Sequence, residues 1–265
     1  MKTLAINGTR LSVIDAGAGP VVLFVHGFPL DSGMWQRQID ALALNYRVIA
    51  PDLRGFGGSD AVRGNVTMEQ FADDLAALLD ALGVGVPVTA CGLSMGGYVA
   101  LAFVRKYADR LAGLILCDTR ALPDGEEAIA NRRKLANSVL AHGSEVAARG
   151  MSVNLFAPAT LEERSELVES VAKTIRATDP ESIAAALSGM AERPDSTALL
   201  EAIAVPTLVI VGEHDTLTPA AEMRGMSERI PESQFVEVAA AGHMTPMENP
   251  DAVNRAIGEF LARIG

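Results

Sequence analysis

The sequence predicts an α/β fold: a mostly parallel, doubly wound sheet flanked by helices, with an all-helical insertion. Three observations predict it. Short apolar runs alternate with longer amphipathic stretches through the first half of the chain, the strand–helix–strand rhythm of a parallel sheet. The rhythm stops between about Thr119 and Val205, where no convincing strand occurs. It returns at Thr207 and continues to the last residues.

The elements follow in order. Residues 4–6 and 11–14 are apolar runs separated by Asn7-Gly8, a hairpin-turn signal. Residues 21–26 form a continuous apolar run ending in His-Gly, as expected of a strand buried on both faces, and residues 46–51 form another. Residues 67–82 read as a helix. Thr67 and Gln70 fit a capping box, Phe71, Leu75, Leu78, Leu79 and Leu82 make one apolar face, and Gly83 ends it. A strand at 86–91, a helix at 94–107 and a strand at 111–117 follow. The insertion holds helical segments near 124–142, 144–155, 160–176 and 180–192, punctuated by Gly143, Pro158, Pro180 and Pro194. Strands at 207–211 and 235–238 and a helix at 250–264 complete the pattern. Residues 1–118 and 205–265 therefore form a core domain, and 119–204 a helical cap over the strand ends, inserted after the sixth strand.

At 265 residues the chain is long enough for one large domain with an insertion. Its 49% hydrophobic and 21% charged residues are ordinary for a globular enzyme. A net charge of −11 argues against nucleic acid and against anionic membranes, and is read as a solubility feature. Cys91 and Cys117 lie in apolar, strand-like runs and read as buried free thiols rather than a disulfide framework or metal site. A reducing, cytoplasmic setting is expected, because no signal-peptide core and no membrane-spanning run is present. No nucleotide fingerprint or clustered metal ligands occur, so no cofactor is expected. The expected state is a monomer or small homo-oligomer.

The chemistry centres on Gly92-Leu93-Ser94-Met95-Gly96-Gly97, between an apolar strand and a helix. A serine at such a corner sits in a strained turn with its hydroxyl projecting from the sheet, beside free N–H groups of the helix start. Small residues two before and two after it let strand and helix approach. Of four histidines, His243 is the expected base, because its polar loop follows the last strand. His26 is expected to organise the loop after its strand, His142 lies in the insertion, and His214 precedes the last strand. Asp215, directly after the 207–211 strand, is the expected orienter of the histidine, with Glu213 and Asp118 as rivals. Asp118 is assigned instead to loop capping or a lid hinge. His26-Gly27-Phe28-Pro29 supplies an oxyanion loop. Because Pro29 has no N–H, Phe28 is the expected donor beside Met95. The pocket is expected around Phe28, Trp35, Met95 and Met244, although Trp35 reads better as core. Without a basic residue it would favour small uncharged acyl groups; Arg120, just after the sixth strand, would change that.

Together HGFPLDSGMW, PDLRGFGGSD, GLSMGG, VGEHD and AGHMTPMENP resemble the α/β-hydrolase superfamily, in its order, from about Val21 onward. Within it the sequence looks most like small carboxylesterases, cofactor-free haloperoxidases or perhydrolases, and enol-lactonases. The resemblance implies Ser94, Asp215 and His243 as a catalytic triad performing two-step acyl transfer without a cofactor, with a small-molecule ester or lactone as the expected partner. Haloalkane dehalogenases share the outline but carry an aspartate nucleophile, which Ser94 excludes. Arg54 and Asp60 match a family loop taken as structural, and Phe28-Pro29 resembles the oxyanion loop of the haloperoxidases.

Overall fold

The computed structural model describes residues 1–264, apart from the side chain of Ser152; Gly265, the last residue of the expected core domain, lies outside it. Strands β1 (Lys2–Ile6) and β2 (Thr9–Ala16) form an antiparallel hairpin, with Asn7 and Gly8 both at positive φ in the turn. Strand β3 (Val21–Val25) is buried along its whole length. A 3₁₀ turn over Ser32–Trp35, capped by the Asp31 carboxylate on Gly33 N, leads into helix α1 (Gln36–Leu42). Strand β4 (Arg47–Pro51) is followed by α2 (Met68–Ala81), whose N-cap Thr67 accepts from Gln70 N as its sequence predicts. Then come β5 (Val88–Leu93), α3 (Met95–Tyr107) and β6 (Leu111–Cys117).

The sheet has eight strands in the order β1-β2-β4-β3-β5-β6 followed by β7 (Thr207–Gly212) and β8 (Ser233–Val238). Only β1 with β2 and β2 with β4 run antiparallel. Every other pairing is parallel. The chain passes from β3 to one side, into β4, and then crosses to β5 on the other. The loops leaving β3 and β5 therefore part and open a crevice at their carboxyl ends, the usual ligand position in such sheets.

Between β6 and β7 lie five α-helices and no strand, as expected: α4 (Glu126–His142), α5 (Glu145–Leu155), α6 (Pro158–Glu163), α7 (Ser165–Ala177) and α8 (Pro180–Ala191). α4 packs on α8 and α5 on α7. The single helix expected at 160–176 is two. Pro158 starts α6 early, and Arg164 leaves helical geometry at φ −125°, ψ 50°. Its guanidinium donates to the carbonyls of Glu248 (2.6 Å) and Met247 (3.4 Å), tying the break to the core. Helix α9 (Ala220–Glu228) carries no sequence signal strong enough to predict it, with Gly225 in its interior. A short α10 (Thr245–Glu248) and α11 (Pro250–Ile264) end the chain. Among the described residues no helix is long and apolar enough to cross a membrane. Cys91 and Cys117 are buried and free.

Candidate active site

Ser94 sits between β5 and α3 at φ 52°, ψ −113°, a left-handed conformation that a non-glycine residue holds only when its surroundings impose it. Two glycines allow the turn. A Cβ on Gly92 would fall on the Gly96 carbonyl, and one on Gly96 would fall on the Val25 carbonyl of β3. Helix and two strands thus approach closer than any side chain permits. Ser94 N donates to the Cys117 carbonyl (3.0 Å), and the Thr119 hydroxyl donates to the Ser94 carbonyl (2.8 Å).

His243 and Asp215 meet across the loops after β8 and β7. His243 Nδ1 lies 2.8 Å from Asp215 Oδ2, with both side chains buried. Asp215 Oδ1 also accepts from Leu217 N (2.8 Å) and Thr218 N (3.0 Å), and Oδ2 accepts from the Thr218 hydroxyl (2.5 Å). Burial pushes this carboxyl up, but the His243 hydrogen bond and charge and the Thr218 bonds outweigh it and hold it below the usual carboxylate range. Asp215 is therefore an anion that fixes the imidazole with its proton on Nδ1. That leaves Nε2 as the acceptor.

The rival acids are placed elsewhere. Glu213 accepts from Ala240 N at the surface (3.0 Å). Asp118, at φ 44° after β6, is fully buried. Its Oδ1 accepts from Gly212 N (2.9 Å), and Oδ2 meets the Thr245 hydroxyl, which also reaches the Gly242 carbonyl (3.2 Å). Burial, with Asp215 and Cys117 nearby, pushes the Asp118 carboxyl well above its ordinary value, against the pull of those two hydrogen bonds. Asp118 braces β6, β7 and the histidine loop and has no contact with the imidazole.

Glu248, which sequence reasoning missed, holds the same loop. Its buried carboxylate accepts from Gly242 N (2.8 Å) and Met244 N (3.2 Å), on both sides of His243, and from Ala157 N (2.8 Å) between α5 and α6. His243 N in turn donates to the Leu155 carbonyl at the end of α5 (2.9 Å). The available signal was a glutamate five residues after the histidine, just before Asn249-Pro250.

The loop after β3 is held from behind. His26 Nε2 accepts from Leu53 N (3.0 Å), so the ring proton is on Nδ1 and donates to the Gly27 carbonyl (3.0 Å). Burial lowers the His26 pKa and keeps the ring neutral. The Asp52 carboxylate accepts from Ser32 N and Gly58 N, both at 2.8 Å. Among the described residues, the Phe28 and Met95 backbone N–H groups have no acceptor outside the regular elements, and both flank the crevice at Ser94.

Ser94, His243 and Phe28 line one cavity of about 280 Å³, at the small end of small-molecule sites, which start near roughly 300 Å³. The helical segment supplies Met151, Leu155 and Met190. Three expected pocket residues are not brought there. Trp35 is fully buried with its ring 4.7 Å from Phe24, and the side chains of Met95 and Met244 pack into the core. The lining also departs from an uncharged pocket: Arg120, Asp124 and Arg132 belong to it. Arg54 and Asp60 are structural, Arg54 pairing with buried Asp74 (2.5 Å) and Asp60 with Arg10 (2.8 Å). Among the described residues, no group of three or more His, Cys, Asp or Glu is arranged to hold a metal ion.

A family model for the alpha/beta hydrolase fold matches residues 20–250. The chain belongs to the α/β-hydrolase family. It is similar to a thermophilic esterase from Thermogutta terrifontis solved with malate bound, at 49% identity and a TM-score of 0.97, covering 99% of this chain and 98% of that one. It also resembles 3-oxoadipate enol-lactonase 2 of Acinetobacter baylyi, at 30% identity over 99% of this chain and 95% of the relative. A third similarity is to the enol-lactonase of Burkholderia xenovorans, at 29% identity and a TM-score of 0.92, covering 98% and 100%. This α/β-hydrolase is accordingly a hydrolase of small molecules.

Proposed function

We propose that this hydrolase cleaves small carboxylic esters through an acyl-enzyme on Ser94. The observation that carries the reading is the 2.8 Å bond of His243 Nδ1 to buried Asp215, with His243 opening to the same cavity as a serine in an elbow. Ser94 Oγ attacks the ester carbonyl while His243 Nε2 takes its proton. The tetrahedral oxyanion is met by the Phe28 and Met95 N–H groups. His243 returns the proton to the departing alcohol, water enters, and the same groups run the second half in reverse order. Asp215 stays an anion throughout and stabilises the imidazolium.

The esterase and enol-lactonase relatives support this chemistry, since both names denote opening a carboxylic ester bond. The lactonase similarity favours a second reading on the same residues, a lactone as substrate. Residues 119–204 are proposed to act as the cap, because Met151, Leu155 and Met190 close the cavity from above the strand ends.

A panel of nitrophenyl esters of increasing chain length tests the reading. Turnover of the short esters is expected, with Ser94→Ala losing about a thousandfold or more. Near-wild-type turnover by folded Ser94→Ala would refute it.

A further inference from the structure

The charges lining the cavity do not cancel. Asp124, at the entrance to α4, is held by two guanidiniums, Arg132 and Arg193 (2.8 Å). The Asp124 and Arg193 side chains are 2% and 4% exposed, so both charges lie out of water. Both terminal nitrogens of Arg193 are occupied. Nη1 reaches Asp124 and the Met190 carbonyl (2.9 Å), Nη2 donates to the Leu122 carbonyl (2.9 Å), and the guanidinium stacks 4.1 Å from the centre of the Tyr98 ring. Arg132 is the member that opens to the cavity, with its side chain 22% exposed. Its Nε and Nη2 turn to Asp124, but its Nη1 meets the Met190 sulfur at 3.4 Å, a weak acceptor.

Two guanidiniums and one carboxylate leave a net single positive charge beside an apolar wall of Met151, Leu155 and Met190. Arg120 does not alter the balance, because Glu222 neutralises it at 3.0 Å. The Asp215 carboxylate, behind His243, does not line the cavity and is turned toward the imidazole and two backbone amides. A buried Arg–Asp pair alone would be a neutral structural feature. The extra guanidinium makes this one an unbalanced charge, costly to hold out of water unless an anion joins it.

We propose that the Asp124–Arg132–Arg193 cluster is a carboxylate-binding subsite, and that the ester or lactone attacked by Ser94 bears a second, ionised acid group that Arg132 receives. The proposal rests on the hydrolase reading. One excess positive charge and a small cavity suit a monoanion, with the carboxylate displacing the methionine sulfur as the Nη1 acceptor. The uncharged acyl group expected from the sequence is then the poorer substrate.

The test pairs two esters of equal length, monomethyl glutarate and methyl pentanoate, which differ only in a carboxylate replacing a terminal methyl. Methanol release is followed with wild type, Arg132→Gln, Arg132→Lys and Ser94→Ala. Charge-assisted hydrogen bonds contribute about 1.5–3 kcal/mol, or about ten- to a hundredfold. Wild type is expected to favour monomethyl glutarate by about tenfold or more in kcat/KM. Arg132→Gln should lose that preference, falling about tenfold or more further on monomethyl glutarate than on methyl pentanoate, and Arg132→Lys should restore part of it. Arg193 still pairs Asp124 in both variants, so the helix entrance keeps its anchor. A wild-type preference for methyl pentanoate, or an equal fall on both esters in Arg132→Gln, would overturn the proposal while Ser94-dependent turnover leaves the hydrolase reading standing. Absence of Ser94-dependent turnover of either ester would overturn both.

Discussion

Replacing Asp215 by asparagine removes one charge and changes one atom. Its Oδ1 accepts two backbone N–H groups, from Leu217 and Thr218, so the amide oxygen of Asn must stay on that side. The amide nitrogen then falls where Oδ2 now faces His243 Nδ1 and the Thr218 hydroxyl. It donates to Nδ1, which drives the ring proton to Nε2, the nitrogen that should accept from Ser94. The equivalent change in a serine protease costs about four orders of magnitude in kcat. At 1.36 kcal/mol per tenfold, that is about 5.5 kcal/mol of transition-state stabilisation. Asp118→Asn is the internal control. Asp118 accepts from Gly212 N and from the Thr245 hydroxyl; in asparagine the amide oxygen keeps the Gly212 bond, and the amide nitrogen donates to Thr245 Oγ, whose hydroxyl turns to the Gly242 carbonyl. It should keep kcat within about threefold, far from the fall of about four orders of magnitude expected for Asp215→Asn. The assay is kcat/KM on a short nitrophenyl ester for both variants, with circular dichroism to check the fold. If Asp118→Asn were the worse enzyme, the assignment of the acid to β7 would be wrong.

Asp118 also predicts a pH dependence of stability. Its folded pKa is raised, so the native state keeps a proton that the unfolded chain releases above about 3.9. Wild-type stability should therefore fall as pH rises above that value, and Asp118→Asn, which cannot ionise, should gain on wild type between pH 4 and 8 in urea titrations; a gain on acidification would contradict this. Glu248→Ala removes the acceptor of all three backbone N–H groups, Gly242, Met244 and Ala157. The lost bonds should cost about 2–3 kcal/mol of stability, and release of the His243 loop should lower kcat about ten- to a hundredfold with little change in KM. Wild-type kcat in this variant would remove Glu248 from the positioning of His243. Met190→Ala enlarges the apolar wall of the cavity and should shift the kcat/KM profile toward longer acyl chains at nearly unchanged acetate rate. A profile parallel to wild type would make the helical segment mere scaffold.

The central strands β3, β5 and β7 were legible because each is a largely apolar run buried along its whole length. The β5 and β6 strands are placed within two residues of expectation. The elbow was legible because backbone contacts demand its glycines, Gly92 against Gly96 within the motif and Gly96 against β3. Charge pairing at the cavity was not. Arg132, Arg133 and Lys134 are chemically alike in sequence, and only the helical face separates them: Arg132 shares its side of α4 with buried Ala136 and Val139, and Arg133 is exposed. Among the apolar residues of the insertion, Leu140 is 54% exposed. Of that set Met151, Leu155 and Met190 reach the cavity, whereas Phe156 and Leu187 are spent on packing. The Arg164 break and the Glu248 clamp depend on partners more than 80 residues away, beyond the reach of periodicity.

The claim that Ser94 is the acylated residue is tested most directly by trapping it. The protein is treated with an organophosphate that transfers a diethyl phosphoryl group to activated serines, digested, and mapped by mass spectrometry. The account predicts one phosphoryl group per chain, on the peptide holding Ser94, appearing in step with loss of esterase activity and absent from Ser94→Ala. Full inactivation with the label on any other residue, or a labelled Ser94 with activity intact, would contradict it.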